Sequence, residues 1–391
     1  CYGGVANTPH LDRLAERGTR FDTAYTNCPI CVPVRASLAT GRWVHDARYW
    51  DNAFPYDGQT PSWHHRLREQ GFQVDSIGKL HFSGPEHDHG FSQTIDPLHV
   101  VDGIGDVLGC LRDDGPVRRK RSGILDAGGG DSTYLQYDRR NADSGVEWLA
   151  AHRDDDKPWA LMLSFVCPHP PYICPPEWFD YYAERDLPLP PQWRQGDWPA
   201  HPVIDHFRRF FDFHPQFEEP QIRRLLAAYY GACSFLDEQI GRVLTQLEAL
   251  GLTQSTRVIY SSDHGEHLGG RGIFGKFSLY DESAAVPMIA AGPDVPQGAV
   301  CRTPTSLVDL YPSIIESVGA ESHNDDAGLP GRSLWTIASN PDAQRTVLSE
   351  YHAVGSQHAS YMIRDERYKY NHYVGAPAQL FDMVSDPEEL N

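Results

Sequence analysis

Short apolar runs alternate with long segments of helical periodicity along most of this chain. Four runs are bounded like buried strands, at residues 72–77, 159–166, 257–261 and 286–291. The segments with helical periodicity include residues 134–152, 220–250 and 305–318. Strands separated by helices are typical of a parallel sheet that is covered on both faces. The pattern therefore predicts an α/β fold, with a large mixed, mostly parallel sheet sandwiched by helices.

The pattern changes near Pro341. The segments that follow are short and alternate like antiparallel strands, at residues 346–350, 359–364, 368–373 and 379–381. We expect a main α/β domain over residues 1–341 and a small C-terminal antiparallel α+β subdomain over residues 342–391. Because the sequence opens at Cys1 without Met and closes at Asn391, we also expect that a first strand is missing and that the subdomain is truncated.

Polar side chains follow the first three predicted strands. The first strand is followed by Lys79 and His81, the second by His169, and the third by Asp263 and His264. In open α/β sheets, ligands bind beyond the carboxyl ends of the strands. One histidine among 19 is more often structural than catalytic, but three such strand ends together predict a functional site at this edge.

A further polar motif, Cys31-x-Pro33-x-Arg35, lies before these strands. Proline suits the first turn of a helix, so the motif predicts a helix over residues 34–40 whose positive end faces an anion. Arg35 adds a permanent charge that suits sulfate or phosphate. A buried Cys beside a loop proline is the alternative, and the Cys28-x-x-Cys31 spacing leaves a redox pair or half a zinc site open.

Composition limits the classes of partner. The chain has 34 Lys and Arg against 53 Asp and Glu, a net charge of −19, so we expect no nucleic-acid partner and no anionic membrane. No apolar run approaches the roughly 18 residues that a membrane span needs. The 8 cysteines are too sparse for a disulfide scaffold. The basic run 118–121 is expected to be a solvated loop.

Taken together, the motifs resemble the type I, formylglycine-dependent sulfatases of the alkaline phosphatase superfamily. Residues 31–35 resemble the first sulfatase signature, and residues 71–81 resemble the second. Residues 261–269 are similar to the metal-binding strand end, and Lys276 lies in a segment like the one that carries the family's second catalytic lysine. Residues 50–52 and 78–91 look most like the choline-sulfatase-like branch, although the adjacent Asp and His at 263–264 also resemble phosphonate monoester hydrolases.

The resemblance implies that a formylglycine-generating enzyme oxidises Cys31 to formylglycine, whose hydrate is the nucleophile. The implied catalytic residues are Cys31, Arg35, Lys79, His81, His169 and Lys276. The implied substrate-binding residues are Asn52, Lys79, His169 and Lys276. One divalent metal ion, Ca²⁺ or alternatively Mn²⁺, would be held by Asp263, His264 and position 31, together with Asp residues that precede this sequence in the family.

The resulting hypothesis is hydrolysis of a small anionic sulfate monoester to sulfate and an alcohol. Hydrolysis of a phosphonate monoester or phosphodiester stays open, because the same charges stabilise either oxoanion. An anion-binding pseudoenzyme with unmodified Cys31 is the non-enzymatic alternative. Cysteine usage favours a cytoplasmic location, with a periplasmic one left open, and the resemblance favours a homo-oligomer. Trp50, Tyr172, Trp178 and Trp193 are expected mainly to pack in the core, with a cation–π box as the alternative.

Overall fold

The structure is a computed structural model that describes residues 4–113, 115–341 and 344–391. Its α-helices are α1 (Pro9–Glu16), α2 (Cys31–Thr40), α3 (Val44–Ala47), α4 (Trp63–Glu69), α5 (Arg121–Leu125), α6 (Thr133–Ala151), α7 (Pro176–Ala183), α8 (Pro202–Phe210), α9 (Glu219–Ala249), α10 (Asp281–Ala284), α11 (Leu310–Ser317) and α12 (Leu334–Ser339). Its strands are β1 (Gly18–Phe21), β2 (Ala24–Tyr25), β3 (Gln73–Lys79), β4 (Gln93–Leu98), β5 (Gly128–Gly129), β6 (Trp159–Ser164), β7 (Ile173–Cys174), β8 (Val258–Ser261), β9 (Met288–Ala291), β10 (Ala299–Cys301), β11 (Thr305–Ser306), β12 (Val347–Tyr351), β13 (Ser360–Arg364), β14 (Tyr368–Tyr373) and β15 (Ala376–Asp382).

Two sheets carry the main body, which confirms the predicted α/β fold. One is fully parallel, with strand order β4-β3-β6, and the register places Gly78 of β3 opposite Ser164 of β6. The other has the order β10-β1-β9-β8, and in it β9 runs antiparallel to both of its neighbours. Ile77 of β3 is buried with Trp148 of α6 and Leu247 of α9, so these two long helices cover one face of the parallel sheet. Among the described residues, we find no helix both long and apolar enough to cross a membrane.

The C-terminal segment folds into an antiparallel sheet with strand order β12-β13-β14-β15, as the alternation predicted. The sheet is anchored on the main body by Lys369, whose buried ammonium lies 2.6 Å from Asp281 and 2.7 Å from Glu389. The predicted domain boundary adjoins residues 342 and 343, which lie outside the described residues, and it stays a prediction. Residues 1–3 also lie outside the described residues, and the expected missing first strand stays a prediction as well.

Two predicted helix starts are wrong. The helix predicted over residues 34–40 begins at Cys31, with Ile30 as its N-cap, so Pro33 is its third residue. A proline is tolerated there because the first N–H groups of a helix have no intrahelical partner. The helix predicted over residues 305–318 starts at Leu307 with a 3-10 turn that continues into α11 at Leu310, because Thr305 and the residue after it pair in parallel with β2 as strand β11.

A cluster of histidines brings together the first turn of α4 and the segments that follow strands β3 and β4. Nδ1 of His64 lies 3.0 Å from the carbonyl of His89, and Nε2 of His89 lies 2.9 Å from the hydroxyl of Ser83. The ring of His99 stacks on His89 at 5.6 Å. Burial first lowers the pKa of His64, His89 and His99, and the charges of His99 and His87 lower that of His89 further, to about 4.

We expect this cluster to make stability fall in mild acid. A histidine whose pKa is lower in the fold than in the unfolded chain is neutral when folded. Its contribution to stability is complete above the pKa of about 6.5 that it has in the unfolded chain. This contribution is lost as the pH falls toward the lower pKa in the folded protein. Urea unfolding at pH 7.5 and 5.0 would measure this effect. Between these two pH values, the free energy of unfolding of His89→Gln should fall by about 1–2 kcal/mol less than that of the wild type. The exposed His372→Gln is the control, and an equal pH dependence in wild type and His89→Gln would contradict the assignment.

Candidate active site

Cys31 is buried in the first turn of α2 and is surrounded by positive groups. Its sulfur lies 3.3 Å from Nζ of Lys276 and 3.1 Å from Nε2 of His264. Burial raises the pKa of the thiol, but the charges of Lys276, Lys79 and His264 outweigh it, so the pKa is well below its usual value. The surroundings of position 31 are therefore suited to negative charge.

Cys28 has the opposite environment. Burial raises the pKa of the Cys28 thiol well above its usual value, and the nearby carboxylate of Glu350 raises it further. Both Cys28 and Cys31 are free thiols in the structure. A redox pair needs thiols that ionise readily, so the two opposite shifts favour the interpretation in which only Cys31 is chemically active.

Arg35 joins the ends of three strands. It lies one turn after Cys31 on α2, and its Nη1 donates to the carbonyl of Lys79 at 2.9 Å, at the end of β3. The same nitrogen donates to the hydroxyl of Ser164 at 3.2 Å, at the end of β6. Its Nε donates to Oδ2 of Asp263 at 3.0 Å, just beyond β8. One guanidinium thus fixes the three strand ends relative to position 31.

Two lysines bring further positive charge to Cys31. The side chains of Lys79 and Lys276 are both buried, with 4% and 9% exposed. Burial lowers the pKa of Lys79. Burial also acts to lower the pKa of Lys276, but the charges of Cys31 and Asp263 outweigh it and the pKa is raised. Lys276 is therefore firmly protonated at neutral pH and available as a proton donor.

Two histidines complete the surroundings of Cys31. Both His81 and His169 interact with its side chain, and burial lowers the pKa of each, that of His169 to about 4 with Lys276 as the second cause. Nδ1 of His169 lies 2.7 Å from the carbonyl of Pro170, which can only accept. The proton therefore sits on Nδ1 and leaves Nε2 as the acceptor. His81 has a positive φ of 57°, a strained conformation for a residue with a side chain.

Asp263, His264 and Cys31 form a group whose ligand atoms all lie within 4.8 Å of one another. Nδ1 of His264 lies 3.0 Å from the carbonyl of Gly265, and this contact orients the ring so that Nε2 faces the group. Oδ2 of Asp263 binds Arg35, whereas Oδ1 lies 3.7 Å from Nε2 of His264. That separation is too long for a hydrogen bond but suits two ligands of one ion. Burial raises the pKa of Asp263, but the charges of His264 and Arg35 outweigh it and keep the carboxylate ionised. The donor set therefore fits a divalent cation.

Asn52 lies beside the nucleophile position. Its Oδ1 accepts the N–H of Val32, the residue after Cys31, at 3.2 Å. This bond satisfies one free N–H group in the first turn of α2 and brings Asn52 to the edge of the site. The side chain of Asn52 therefore has a structural role. Its contribution to substrate binding stays a prediction.

The four aromatic residues considered for a cation–π box do not form one wall. Tyr172 is buried, and Trp178 packs on Tyr181 with ring centroids 5.4 Å apart. Trp193 lines a small cavity with Trp198, while Trp50 is 39% exposed and contacts His352. Core packing is therefore the correct interpretation for Tyr172 and Trp178.

The sequence analysis missed three supporting residues. Ser164 binds Arg35, as described above. Asp138 of α6 accepts the N–H groups of Val166 and Cys167 at 2.8 and 2.7 Å and thereby fixes the strand end that leads to His169. Glu266 accepts the N–H of Gly275, the residue before Lys276. Glu266 lies within residues 261–269, the stretch similar to the metal-binding strand end, so the sequence could have indicated it. No local sequence pattern marks Asp138 or Ser164.

Comparison with known proteins supports one family. The sequence model of the family described as Sulfatase matches residues 1–320, and one described as N-sulphoglucosamine sulphohydrolase, C-terminal, matches residues 265–391. The choline-sulfatase of Rhizobium meliloti (strain 1021) is 31% identical over 406 residues, which cover 98% of this chain and 77% of that protein.

Solved structures give the same result at the level of the fold. The phosphonate monoester hydrolase SpPMH from Silicibacter pomeroyi has a TM-score of 0.76 at 25% identity, covering 97% of this chain and 85% of that one. The structure of BT4656 in complex with its substrate D-glucosamine-2-N,6-O-disulfate has a TM-score of 0.76 at 21% identity, covering 100% of this chain and 89% of that one.

Proposed function

Because this chain belongs to the sulfatase family and is a sulfuric ester hydrolase, we propose that it cleaves small sulfate monoesters to sulfate and an alcohol at Cys31. The observation that carries the proposal is the contact of the Cys31 sulfur with Lys276 and His264, at 3.3 and 3.1 Å. Such a buried, positively charged site around a nucleophile position suits the transfer of an anionic group.

Sulfatases generally use a divalent metal ion and a formylglycine. We propose that a formylglycine-generating enzyme converts Cys31, and that position 31 then holds the ion together with Asp263 and His264. Oxygen ligands favour Ca²⁺, and the imidazole makes Mn²⁺ the alternative. When bound, the ion would polarise the sulfate oxygens, and the formylglycine would supply the attacking oxygen.

The protein's own side chains have separate roles in this proposal. Arg35 orients position 31 and Asp263 by holding the three strand ends together. Lys79 and Lys276 offset the negative charge of the transferred group, an electrostatic contribution that is usually the largest in such reactions. His81 accepts a proton from position 31 and thereby helps to release sulfate. The protonated Lys276 stabilises the departing alcohol oxygen, and His169 shares this role in the form that carries a proton on Nε2 as well as on Nδ1.

Hydrolysis of phosphonate monoesters or phosphodiesters is the second candidate. It is favoured by His264 at the metal-binding position and by the likeness to the phosphonate monoester hydrolase SpPMH. Since the lysines and Arg35 stabilise either oxoanion, the static geometry does not separate sulfur from phosphorus.

Kinetics with four substrates separate the two candidates. We expect metal-loaded protein with converted Cys31 to have its highest kcat/KM on a sulfate monoester, tested with phenyl sulfate and choline sulfate against a phenyl phosphonate monoester and a phosphodiester. Chelation should lower the activity by at least about 100-fold, and Ca²⁺ or Mn²⁺ should restore it. A preference of more than about 100-fold for phosphorus, or roughly 2.7 kcal/mol in transition-state binding, would establish the second candidate instead.

The non-enzymatic alternative gives a different result in the same assay, because a pseudoenzyme would bind sulfate without turnover. We keep the cytoplasmic location and the homo-oligomer as proposals. Light scattering tests the second of these, since a monomeric mass would exclude it.

A further inference from the structure

Lys276 reaches Cys31 from a loop between β8 and α10, outside any helix or strand. The residues on either side of it have positive φ angles, 81° at Gly275 and 90° at Phe277. A phenylalanine adopts this left-handed conformation only at a cost in energy, so the surrounding structure must hold it there. The position of the Lys276 ammonium, 3.3 Å from the Cys31 sulfur, therefore depends on the contacts that anchor the loop.

Two of these anchors are hydrogen bonds between backbone groups. The N–H of Phe277 donates to the carbonyl of Pro29 at 3.3 Å, in the segment that leads into α2. The carbonyl of Gly275 accepts the N–H of His267 at 2.8 Å. The first bond holds the loop to the helix that carries the nucleophile position, and the second holds it to the segment beyond β8.

The third anchor is the side chain of Glu266. Its Oε1 accepts the N–H of Gly275, and the same oxygen accepts the N–H of Leu268 at 3.1 Å. Leu268 has a positive φ of 53°, so the carboxylate also closes a strained turn. Hydrogen bonds to an ionised acceptor are roughly twice as strong as those between neutral groups. Glu266 thus ties the loop of Lys276 to the turn that directly follows the proposed metal ligand His264.

We propose that Glu266 is a positioning residue for ester hydrolysis, because its side chain holds the loop 275–277 where the ammonium of Lys276 meets position 31. Glu266 belongs to the segment that carries Asp263 and His264, so one side chain sets the place of the lysine relative to that segment. Misplacing a catalytic group by about 1 Å can cost on the order of 10²-fold in rate. The inference rests on the proposed function, since it assumes that Lys276 acts at position 31 during turnover.

Two substitutions at Glu266 separate the reach of the side chain from its charge. Glu266→Asp keeps the charge but is one methylene shorter, so its carboxylate does not reach both N–H groups. Glu266→Gln removes the charge but keeps both bonds through its amide oxygen, because both N–H groups bind the same oxygen in the wild type.

Steady-state kinetics on metal-loaded protein with converted Cys31 would compare these variants with phenyl sulfate as substrate. We expect Glu266→Asp to lower kcat by about 30–100-fold and to change KM by less than about threefold. Glu266→Gln should stay within about fivefold of the wild-type kcat. Wild-type kcat in Glu266→Asp, or an equal loss in both variants, would overturn the inference.

Hydrogen exchange measures the anchoring of the loop without turnover. Mass spectrometry of peptides that contain residues 274–278 should show exchange at least about tenfold faster in Glu266→Asp than in the wild type, and unchanged in Glu266→Gln. Peptides from α6 should exchange equally in all three proteins. Unchanged exchange of the loop in Glu266→Asp would show that the carboxylate does not hold it.

A double-mutant cycle shows whether Glu266 acts through Lys276. If it does, Glu266→Asp should lower kcat by less than about threefold in a Lys276→Met background, in contrast to its large effect in the wild type. Additive losses would mean that Glu266 acts on something other than the lysine, which is contrary to the inference.

Asp237→Asn is the matched control. Asp237 is a buried carboxylate of α9 that also accepts two backbone N–H groups, those of His10 and Leu11, at 3.0 and 2.9 Å. Each bond uses a different oxygen, so the variant loses one of them, since an amide nitrogen cannot accept. We expect a lower midpoint of urea unfolding, with kcat per folded molecule unchanged. A loss of kcat as large as that in Glu266→Asp would refute a specific role for Glu266.

A parallel assay with a phenyl phosphonate monoester separates the inference from the proposed function. Turnover of phenyl sulfate that does not depend on Glu266 would refute the positioning role and leave the proposed function standing. Turnover confined to the phosphonate monoester, with the same dependence on Glu266 and Lys276, would refute the sulfatase function and leave the positioning role.

Discussion

Replacing Arg35 with lysine is expected to lower kcat/KM for phenyl sulfate by about 10²–10³-fold. A lysine cannot make the three bonds that connect the carbonyl of Lys79, the hydroxyl of Ser164 and the carboxylate of Asp263. The buried carboxylate of Asp263 would keep a positive neighbour but lose the hydrogen bond from the guanidinium, which typically costs about 1.5–3 kcal/mol of stability. Steady-state kinetics and urea unfolding would measure the two effects on the same preparation.

Arg66→Lys is the matched control for this experiment. Arg66 is also buried and binds the carboxylate of Asp326 through two nitrogens, at 2.9 and 3.2 Å, away from Cys31. We expect a loss of stability in this variant, with kcat/KM per folded molecule unchanged. If Arg35→Lys behaved like Arg66→Lys, Arg35 would have a purely structural role.

Replacing Lys276 with methionine is expected to lower kcat by about 10²–10³-fold, because it removes one of the two ammonium groups that face position 31. The effect should appear in kcat more than in KM, since the charge on the departing oxygen develops only in the transition state. Lys276→Arg, which keeps the charge, should recover part of the rate. Steady-state kinetics over a range of sulfate ester concentrations would show the split.

Lys369→Met is the control for losing a buried lysine. Lys369 is also buried, but it binds Asp281 and Glu389 at the C-terminal sheet. We expect this change to lower stability and to leave kcat per folded molecule within about threefold. A Lys276→Met variant with wild-type kcat would exclude Lys276 from the transition state.

Much of the architecture could be predicted because it depends on local patterns. Apolar runs marked strands β3, β6 and β8 to within two residues, and the polar residues behind them are indeed brought together around Cys31. The start of α2 was misplaced because proline is equally acceptable at several positions of a first turn. The antiparallel course of β9 depends on its pairing with β1 and β8, which no local pattern encodes.

The site residues that sequence reasoning missed act through long-range contacts. Ser164 is an ordinary strand residue until Arg35, 129 positions away, reaches its hydroxyl. Asp138 lies in the middle of α6, where an acidic residue usually faces solvent, yet here it is buried against the end of β6.

The central claim is that position 31 acts as formylglycine, and intact-protein mass spectrometry combined with kinetics tests it most directly. Protein produced together with a formylglycine-generating enzyme should be about 18 Da lighter than the unconverted chain. Its kcat per molecule should rise in proportion to the converted fraction, and Cys31→Ala should show neither the mass change nor turnover. Full activity in protein whose Cys31 remains an unmodified thiol would contradict the account.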